Sequence, residues 1–249
     1  MVDDNDMKTT QASPRSRSND PGLWAFCLLT SKLIHKLKSL LLARTFNAPG
    51  LYLGRGCVVR GANYITFGRD IHAHGSLWLE AVSRYNGQVF MPHITIEDGV
   101  SFSEGVHITC IDSIILRAGT LMGSHVYISD HNHGTYKGDV QSLPSEPPTK
   151  RTLGGGGPVI IGERVWIGDN AVLVGPLVIG EGAIIGANSV VTRDVPAETI
   201  VVGLSAKTYL ANAKTSPRSL PDIWPFMATR FVFLKTSKIW VMTATSGSL

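Results

Sequence analysis

The chain has 249 residues, of which 43% are hydrophobic and 17% charged, so it can bury a core and is not wholly disordered. Its longest apolar stretch, residues 23–42, is interrupted by three lysines, which argues against a membrane-spanning helix. The cysteines are too few and too widely spaced for a disulfide framework or a metal knuckle, and the polar start of the chain lacks the pattern of a signal peptide. We therefore expect a cytoplasmic protein with reduced thiols.

Charge is distributed unevenly along the chain. Residues 23–46 hold four Lys or Arg and no acid, and residues 212–249 hold five Lys or Arg and one acid. Between these flanks, residues 47–211 hold 11 basic and 14 acidic side chains. A slightly acidic body argues against nucleic-acid binding, whereas the basic flanks predict a peripheral contact with an anionic surface such as the inner membrane.

The first elements in chain order are a disordered segment over residues 1–20 and a helix over residues 21–46. Spacings of three and four residues place five apolar side chains on one stripe of this helix: Phe26, Leu29, Leu33, Leu37 and Leu40. Two interpretations remain open. The helix packs on the following domain and caps its open end, or it lies on a membrane surface.

A six-residue period runs from about residue 50 to residue 203. Near its end an aliphatic residue opens each hexad, at Ile161, Ile167, Leu173, Ile179, Ile185 and Val191. The same spacing recurs upstream in three sets, which are Phe67, Ala73 and Leu79, then Ile96, Phe102 and Ile108, then Leu116, Met122 and Ile128. The last set is displaced by two residues, which we interpret as a bulge or a corner insertion. Since a helix does not repeat every six residues, the pattern predicts an all-β prism of about five coils with three short strands per coil.

Two segments interrupt the repeat. Residues 82–93 form a short polar and aromatic insertion, and residues 129–159 form a long loop that contains Pro144, Pro147 and Pro148 and a flexible run of four glycines. Long loops in compact repeat domains more often carry functional residues than not, so we expect the active site there. After the repeat, residues 211–249 carry apolar runs without clear periodicity and are predicted to form an irregular C-terminal extension.

Three segments closely resemble the hexapeptide-repeat acyltransferases, and among these the bacterial lipopolysaccharide and exopolysaccharide O-acetyltransferases. They are residues 126–134 (VYISDHNHG), 158–170 (PVIIGERVWIGDN) and 184–191 (IIGANSVV). The resemblance implies a left-handed parallel β-helix over residues 47–210, assembly as a homotrimer, and transfer of acetyl from acetyl-CoA to a sugar hydroxyl. The left hand comes from the resemblance alone, because the general rule for parallel crossovers favours the right-handed form.

The resemblance places the catalytic general base at His131. A neutral imidazole, with an ordinary pKa of about 6.5, suits the activation of a sugar hydroxyl. His133 is the competing candidate, although we expect it to be more loosely placed, further into a glycine-flanked loop. The oxyanion and acceptor contacts stay open among Ser103, Asp130, Asn132 and His133, since Ser103 stands where the sugar acetyltransferases have Asn.

Six further residues fall on family positions that line the coenzyme A groove. Arg193 and Lys207 fit as partners of its phosphates. Trp166 is as readily interpreted as a hydrophobic corner residue. The full set is Trp166, Asp169, Ala187, Thr192, Arg193 and Lys207.

Three alternatives to the O-acetyltransferase remain. An N-acetyltransferase of an amino-sugar nucleotide shares the fold and the donor. A non-catalytic β-helix scaffold is the second. A zinc carbonic anhydrase on the same fold is disfavoured, because His125, His131 and His133 are too clustered in sequence to resemble the separated ligands of that class, and we expect no metal.

Overall fold

The structure of the protein is a computed structural model. It describes residues 21–136, 138–203, 207–210, 231–236 and 239–244. The chain divides into two compact units, residues 1–34 and 35–249. The predicted disorder of residues 1–20 lies outside the described residues.

One long helix, α1 (Pro21–Thr45), covers almost the whole of the predicted helical segment. Nothing among the described helices is long and apolar enough to cross a bilayer. The five side chains of the predicted apolar stripe are between 58% and 69% exposed, so this stripe is not the surface by which the helix packs.

The last turns of α1 belong to the second unit and pack on its core through the opposite side of the helix. The buried Ser39 hydroxyl donates to the carbonyl oxygen of Leu53 (3.4 Å) and accepts from its N–H (3.1 Å). Around this contact, partly buried apolar side chains lie against the core, namely Leu42, Ala43 and Phe46. The helix therefore docks by a face that the sequence pattern did not indicate.

The strands follow in chain order as coils of three. The first three coils comprise β1 (Tyr52–Arg55), β2 (Val58–Arg60) and β3 (Ile65–Phe67); β4 (His72–Gly75), β5 (Trp78–Ala81), an inserted pair β6 (Arg84–Tyr85) and β7 (Gln88–Val89), and β8 (His93–Ile96); and β9 (Ser101–Glu104), β10 (His107–Cys110) and β11 (Ser113–Leu116). Short 3₁₀ helices lie at Ala62–Tyr64 and Pro148–Lys150.

Two further complete coils comprise β12 (Leu121–Met122), β13 (Tyr127–Ser129), an inserted pair β14 (His131–His133) and β15 (Leu153–Gly155), and β16 (Pro158–Ile161); and β17 (Trp166–Ile167), β18 (Val172–Val174) and β19 (Leu177–Ile179). An incomplete coil of β20 (Ile184–Ile185) and β21 (Val190–Val191) follows, and β22 (Thr199–Val202) then pairs with β20. Three strands close the described chain, β23 (Lys207–Leu210), β24 (Phe231–Thr236) and β25 (Ile239–Ala244).

Equivalent strands of successive coils pair in parallel and form the three faces of the prism. Sheet A contains β1, β4, β9, β12, β17, β20 and β22, sheet B contains β2, β5, β10, β13, β18 and β21, and sheet C contains β3, β8, β11, β16 and β19. Five coils therefore have all three strands, as the period predicted. The predicted left-handed parallel β-helix is confirmed.

The core explains the period. Inward side chains of successive coils are register partners, so each stacks directly on the next, as in the sheet B ladder of Leu79, Ile108, Ile128, Leu173 and Val191. All five are fully buried. Full burial of an aliphatic side chain contributes about 1.5–3 kcal/mol, so the stacked column is a main source of stability.

The predicted frame slip is a corner insertion between sheets B and C. In sheet C, Ile94 pairs with Ile114, 20 residues later, whereas Val159 pairs with Leu177, 18 residues later. The hairpin β6–β7 and the long loop leave the prism at the same corner, after β5 and β13. The B–C corner is thus the edge at which this chain departs from the regular repeat.

The end of the chain differs from the prediction. After the last coil, β23 folds back antiparallel on β22. Within the predicted irregular extension, β24 and β25 pair antiparallel across residues 237–238, so an irregular structure is wrong for residues 231–244. Two β-branched and aromatic runs separated by a two-residue gap favour a hairpin, a signal that periodicity did not capture.

Candidate active site

The long loop begins with a short hairpin that carries both candidate histidines. Strand β14 pairs antiparallel with β15, and His131 is the register partner of Gly155 and His133 that of Leu153. Alternation along a strand places His131 and His133 on one side of β14 and Asn132 on the other. Because a ladder holds both histidines, the expectation that His133 is loosely placed is wrong.

Asp130 lies between the regular coil and this hairpin, and it is fully buried. Its carboxylate accepts hydrogen bonds from the backbone N–H groups of Ile111 (3.0 Å) and Asp112 (2.8 Å), the two residues at the inserted corner of the preceding coil. It also accepts from the Cys110 thiol (3.3 Å). Burial alone raises the pKa of the Asp130 carboxyl, but the hydrogen bonds from His131, Ile111 and Asp112 outweigh burial and hold the pKa below its usual range.

The carboxylate of Asp130 orients the ring of His131. Nδ1 of His131 lies 2.7 Å from Oδ1 of Asp130, and the imidazole is only 8% exposed. A carboxylate can only accept, so Nδ1 carries the proton and Nε2 of the neutral ring keeps a free lone pair. The geometry thus presents Nε2 of His131 as a base. The predicted oxyanion contact of Asp130 does not fit, since a carboxylate has no proton to donate, and the predicted acceptor contact does not fit because the side chain is fully buried.

Two glycines allow the β15 backbone to lie close to this site. A Cβ on Gly155 would come within 3.1 Å of the Asp130 carbonyl oxygen, and a Cβ on Gly154 within 2.4 Å of the Gly134 carbonyl oxygen. Gly155 also has φ +100°, a conformation that favours glycine. The predicted flexible glycine run is therefore in part a strand whose glycines are required by close packing.

The predicted oxyanion and donor residues lie on other parts of the prism. Ser103 lies in strand β9 and Trp166 begins β17, so both belong to sheet A, the face opposite the B–C corner. Both side chains are half-buried on the outside of the sheet. The structure does not bring either residue to His131 of the same chain.

The other predicted donor residues fall into two groups. Asp169 and Ala187 lie at the corner between sheets A and B, the A–B corner. There Asp169 Oδ1 accepts the Ser124 N–H (2.7 Å) and joins two neighbouring coils. Thr192 and Arg193 are exposed at the B–C corner, the same edge as His131. They follow β21, two strand spacings or roughly 10 Å along the axis from β13. Lys207 is paired with Val202 through β23, and its side chain lies outside the described residues.

The zinc alternative finds no support. His125 stands at the A–B corner, at the opposite end of β13 from His131. In the part of the chain that the structure describes, no group of three His, Cys, Asp or Glu side chains is arranged to hold a metal ion.

Comparison with known proteins agrees with this architecture. Residues 158–193 match the family model "Bacterial transferase hexapeptide (six repeats)". Over 175 residues the chain is 37% identical to WbbJ of Escherichia coli (strain K12), named "Putative lipopolysaccharide biosynthesis O-acetyl transferase", with 70% of this chain and 85% of WbbJ covered. The chain belongs to the hexapeptide-repeat acyltransferases. The predicted family and the predicted acyltransferase class are confirmed.

Among solved structures, the acyltransferase fold recurs at low identity. A variant of AntD, an N-acyltransferase from Bacillus cereus, crystallised with dTDP-4-amino-4,6-dideoxyglucose and coenzyme A, superposes with a TM-score of 0.53 at 16% identity and covers 70% of this chain and 88% of its own. A second AntD variant gives a TM-score of 0.51 with 66% and 81% covered. At this identity the likeness concerns the fold alone.

The sequence did not predict the role of Asp130 or its partners at the inserted corner. The acid stands directly before His131, but its backbone partners come 18 and 19 residues earlier. The two-residue displacement of the repeat marked that corner and was the available signal.

Asp130→Asn should lower kcat by at least about 10²-fold, because an amide beside Nδ1 favours the tautomer that places the proton on Nε2. Steady-state kinetics of coenzyme A release measure this. Asp112→Asn is the matched control, since its side chain is exposed and only its backbone meets Asp130. Equal losses in the two variants would contradict the assignment.

The same substitution changes acid stability in a defined direction. Because the pKa of Asp130 is depressed on folding, its stabilisation is fully present above about pH 4, the unfolded value, and is lost as pH falls through the folded pKa. The Tm difference between the wild type and Asp130→Asn should therefore shrink below about pH 4. A Tm difference that stays constant at acid pH would contradict the depressed pKa.

Proposed function

We propose that the protein transfers the acetyl group of acetyl-CoA to a sugar hydroxyl in a lipopolysaccharide or exopolysaccharide precursor. The observation that carries the proposal is the Asp130–His131 pair, a base oriented for hydroxyl activation, on a chain that covers 85% of WbbJ. The family resemblance supplies acetyl-CoA as donor and a saccharide as acceptor.

His131 performs the proton transfers of this reaction. Nε2 takes the proton of the sugar hydroxyl as the hydroxyl oxygen forms a bond to the acetyl carbonyl carbon. The imidazolium, stabilised by the buried Asp130 carboxylate, then gives that proton to the sulfur as the carbon–sulfur bond breaks. The products are the acetylated sugar and the free thiol of coenzyme A. General base catalysis of this kind contributes about 10²- to 10⁴-fold.

An acetyl-transfer assay tests the function directly. The purified protein is incubated with acetyl-CoA and a panel of lipid-linked oligosaccharides, free sugars and amino-sugar nucleotides. We expect turnover with an oligosaccharide and a product that mild alkali cleaves, as for an ester. An alkali-stable amide would instead assign the N-acetyltransferase, and the absence of turnover with every acceptor would favour the scaffold.

His131→Ala should reduce kcat by about 10² or more with nearly unchanged affinity for coenzyme A, because it removes the base and leaves donor contacts intact. The pH profile of the variant should lose the acid limb that reports imidazole deprotonation. His93→Ala, an exposed histidine on sheet C, is the control. Near-normal turnover by His131→Ala would refute the general-base assignment.

We further propose a homotrimer whose sites lie between chains. His131, Thr192 and Arg193 lie on the B–C edge, whereas Ser103 and Trp166 lie on the opposite face, so one prism cannot bring both groups to one acetyl group. A neighbouring chain can supply sheet A. Arg193 then offers a guanidinium to the phosphates of coenzyme A on the same edge as the base.

Mixed assemblies of two defective variants test the shared site. When His131→Ala and Trp166→Ala chains are co-expressed in equal amounts and assemble at random, about a quarter of the sites combine an intact His131 from one chain with an intact Trp166 from another. The activity should therefore rise to about a quarter of that of the wild type. Mixing His131→Ala with Asp130→Asn should restore no activity, because both substitutions damage the half of the site that carries the base. A stable, active monomer in sedimentation would overturn the proposal.

The distribution of charge also supports a peripheral membrane contact through α1. In the part of α1 that belongs to the second unit, Leu37, Leu40 and Leu41 lie on one face of the helix and are each nearly 60% exposed. The exposed Lys36 and Lys38 lie three or four residues from Leu40 and Leu41, and therefore beside this face. Each lysine near an anionic surface adds about 1 kcal/mol of attraction.

Replacing Leu37, Leu40 and Leu41 with Ser should release the protein from anionic vesicles, because the apolar face that enters the interface is lost. Cosedimentation with phosphatidylglycerol vesicles measures this, and turnover of soluble acceptors should persist. The matched control replaces the exposed Met91, Val140 and Leu143, which lie outside the helix. Equal binding of both triple variants would contradict membrane contact.

A further inference from the structure

The two insertions that interrupt the repeat meet each other beside the active site. The hairpin β6–β7 leaves the prism one coil before the corner insertion and two coils before β14, yet its side chains contact the long loop. Tyr85 donates its hydroxyl proton to the Thr149 carbonyl oxygen (2.9 Å). The Asn86 amide donates to the same oxygen (2.8 Å). A segment that appeared as a polar interruption in the sequence is therefore a wall of the site.

Gln88 secures the same wall at its inner end. Its amide oxygen accepts the Leu153 N–H (2.7 Å) and its amide nitrogen donates to the Leu153 carbonyl oxygen (3.2 Å). Leu153 is the register partner of His133 across the β14–β15 ladder. Gln88 therefore holds the strand residue that pairs with the backbone of His133.

Tyr85 also fixes the ring of His133. The Tyr85 oxygen lies 3.2 Å from Nδ1 of His133, and the two rings meet edge to face. Because the hydroxyl proton is directed to Thr149, the Tyr85 oxygen is left as an acceptor for Nδ1–H. The neutral ring then keeps a free lone pair on Nε2, the same tautomer that Asp130 gives to His131.

The two imidazoles therefore form a matched pair on one side of β14. Residues i and i+2 of a strand lie roughly 7 Å apart, so one sugar ring can meet both. The His131 ring is buried against Asp130, as a base requires, whereas the His133 ring is exposed and has a neutral hydroxyl as its partner. This difference in partner suits His131 to proton transfer and His133 to hydrogen bonding.

We propose that Tyr85 is a positioning residue that holds Nε2 of His133 as acceptor for a second hydroxyl of the sugar, so that the β6–β7 hairpin selects acceptors with a free hydroxyl near the acetylated one. The inference rests on the proposed sugar acceptor. The β6–β7 hairpin is then the element that recognises the acceptor, and the second hydroxyl is the group that it recognises.

The kinetic test compares the natural acceptor with deoxy analogues that lack one neighbouring hydroxyl. The wild type should prefer the parent over one such analogue by about tenfold in kcat/KM, the effect of one hydrogen bond. In Tyr85→Phe and in His133→Ala the preference should fall to within about twofold, through loss of affinity for the parent. Gln88→Ala, which loosens the wall and leaves the Tyr85–His133 contact in place, should reduce both acceptors equally and keep the preference.

A measurement without acceptor separates this inference from the proposed function. Long-range ¹H–¹⁵N spectra of the full chain report which ring nitrogen of His133 is protonated, with the signal assigned from the His133→Gln spectrum. We expect protonation at Nδ1 in the wild type and in Tyr136→Phe, whose hydroxyl reaches the His133 carbonyl oxygen and not its ring. Tyr85→Phe should move protonation toward Nε2.

Each result decides the matter. Unchanged protonation in Tyr85→Phe, or a preference for the parent acceptor that survives both Tyr85→Phe and His133→Ala, reduces the hairpin to a structural brace and overturns the proposal. If no sugar is turned over but Tyr85 still controls the ring, the proposed function fails while the positioning role stands.

Discussion

The buried carboxylate of Asp130 is the interaction on which the site depends. It joins two coils, because it accepts two backbone N–H groups from the inserted corner after β10 and the Nδ1–H of His131 from the coil that follows. Without it, the buried Ile111 amide would lose its partner at a cost of about 1–3 kcal/mol, and the part-buried Asp112 amide would also lose its partner. The path of the corner, the start of β14 and the orientation of the base are therefore set by one group.

This carboxylate is a specialised form of a device that recurs along the prism. Asp98 accepts the Arg69 N–H (2.8 Å), and Asp169 accepts the Ser124 N–H (2.7 Å). At corners, backbone groups leave the sheet ladders and need other partners, which short carboxylates on an adjacent coil supply. Asp130 keeps this structural task and also accepts from the imidazole of His131. The Asp130–His131 pair thus extends a contact that the scaffold already uses to join its coils.

The sequence predicted the repetitive part of the molecule because one physical rule governs it. An inward aliphatic residue in each strand produces the six-residue period, so the coils, their number and the corner insertion could be derived from positions such as Ile108 and Ile128. The motif around His131 predicted the site by resemblance. Contacts between distant segments carry no period, which is why the Tyr85–His133 contact, 48 residues apart, and the docking face around Ser39 were missed. The same limit left β24 and β25 unpredicted, since a single hairpin repeats nothing.

The position of the insertions follows from the core. A continuous column of stacked side chains cannot accept extra residues within a strand without moving every inward side chain to the other face, so additions are confined to corners. Here the corner insertion, the hairpin and the long loop all leave the prism at the B–C edge, and the hairpin and the loop contact each other next to His131. A corner of a triangular prism is necessarily remote from the opposite face, and that face carries Ser103 and Trp166. In the proposed homotrimer the rigid scaffold therefore leaves each chain with halves of two different sites, and a second prism brings the donor residues to the base.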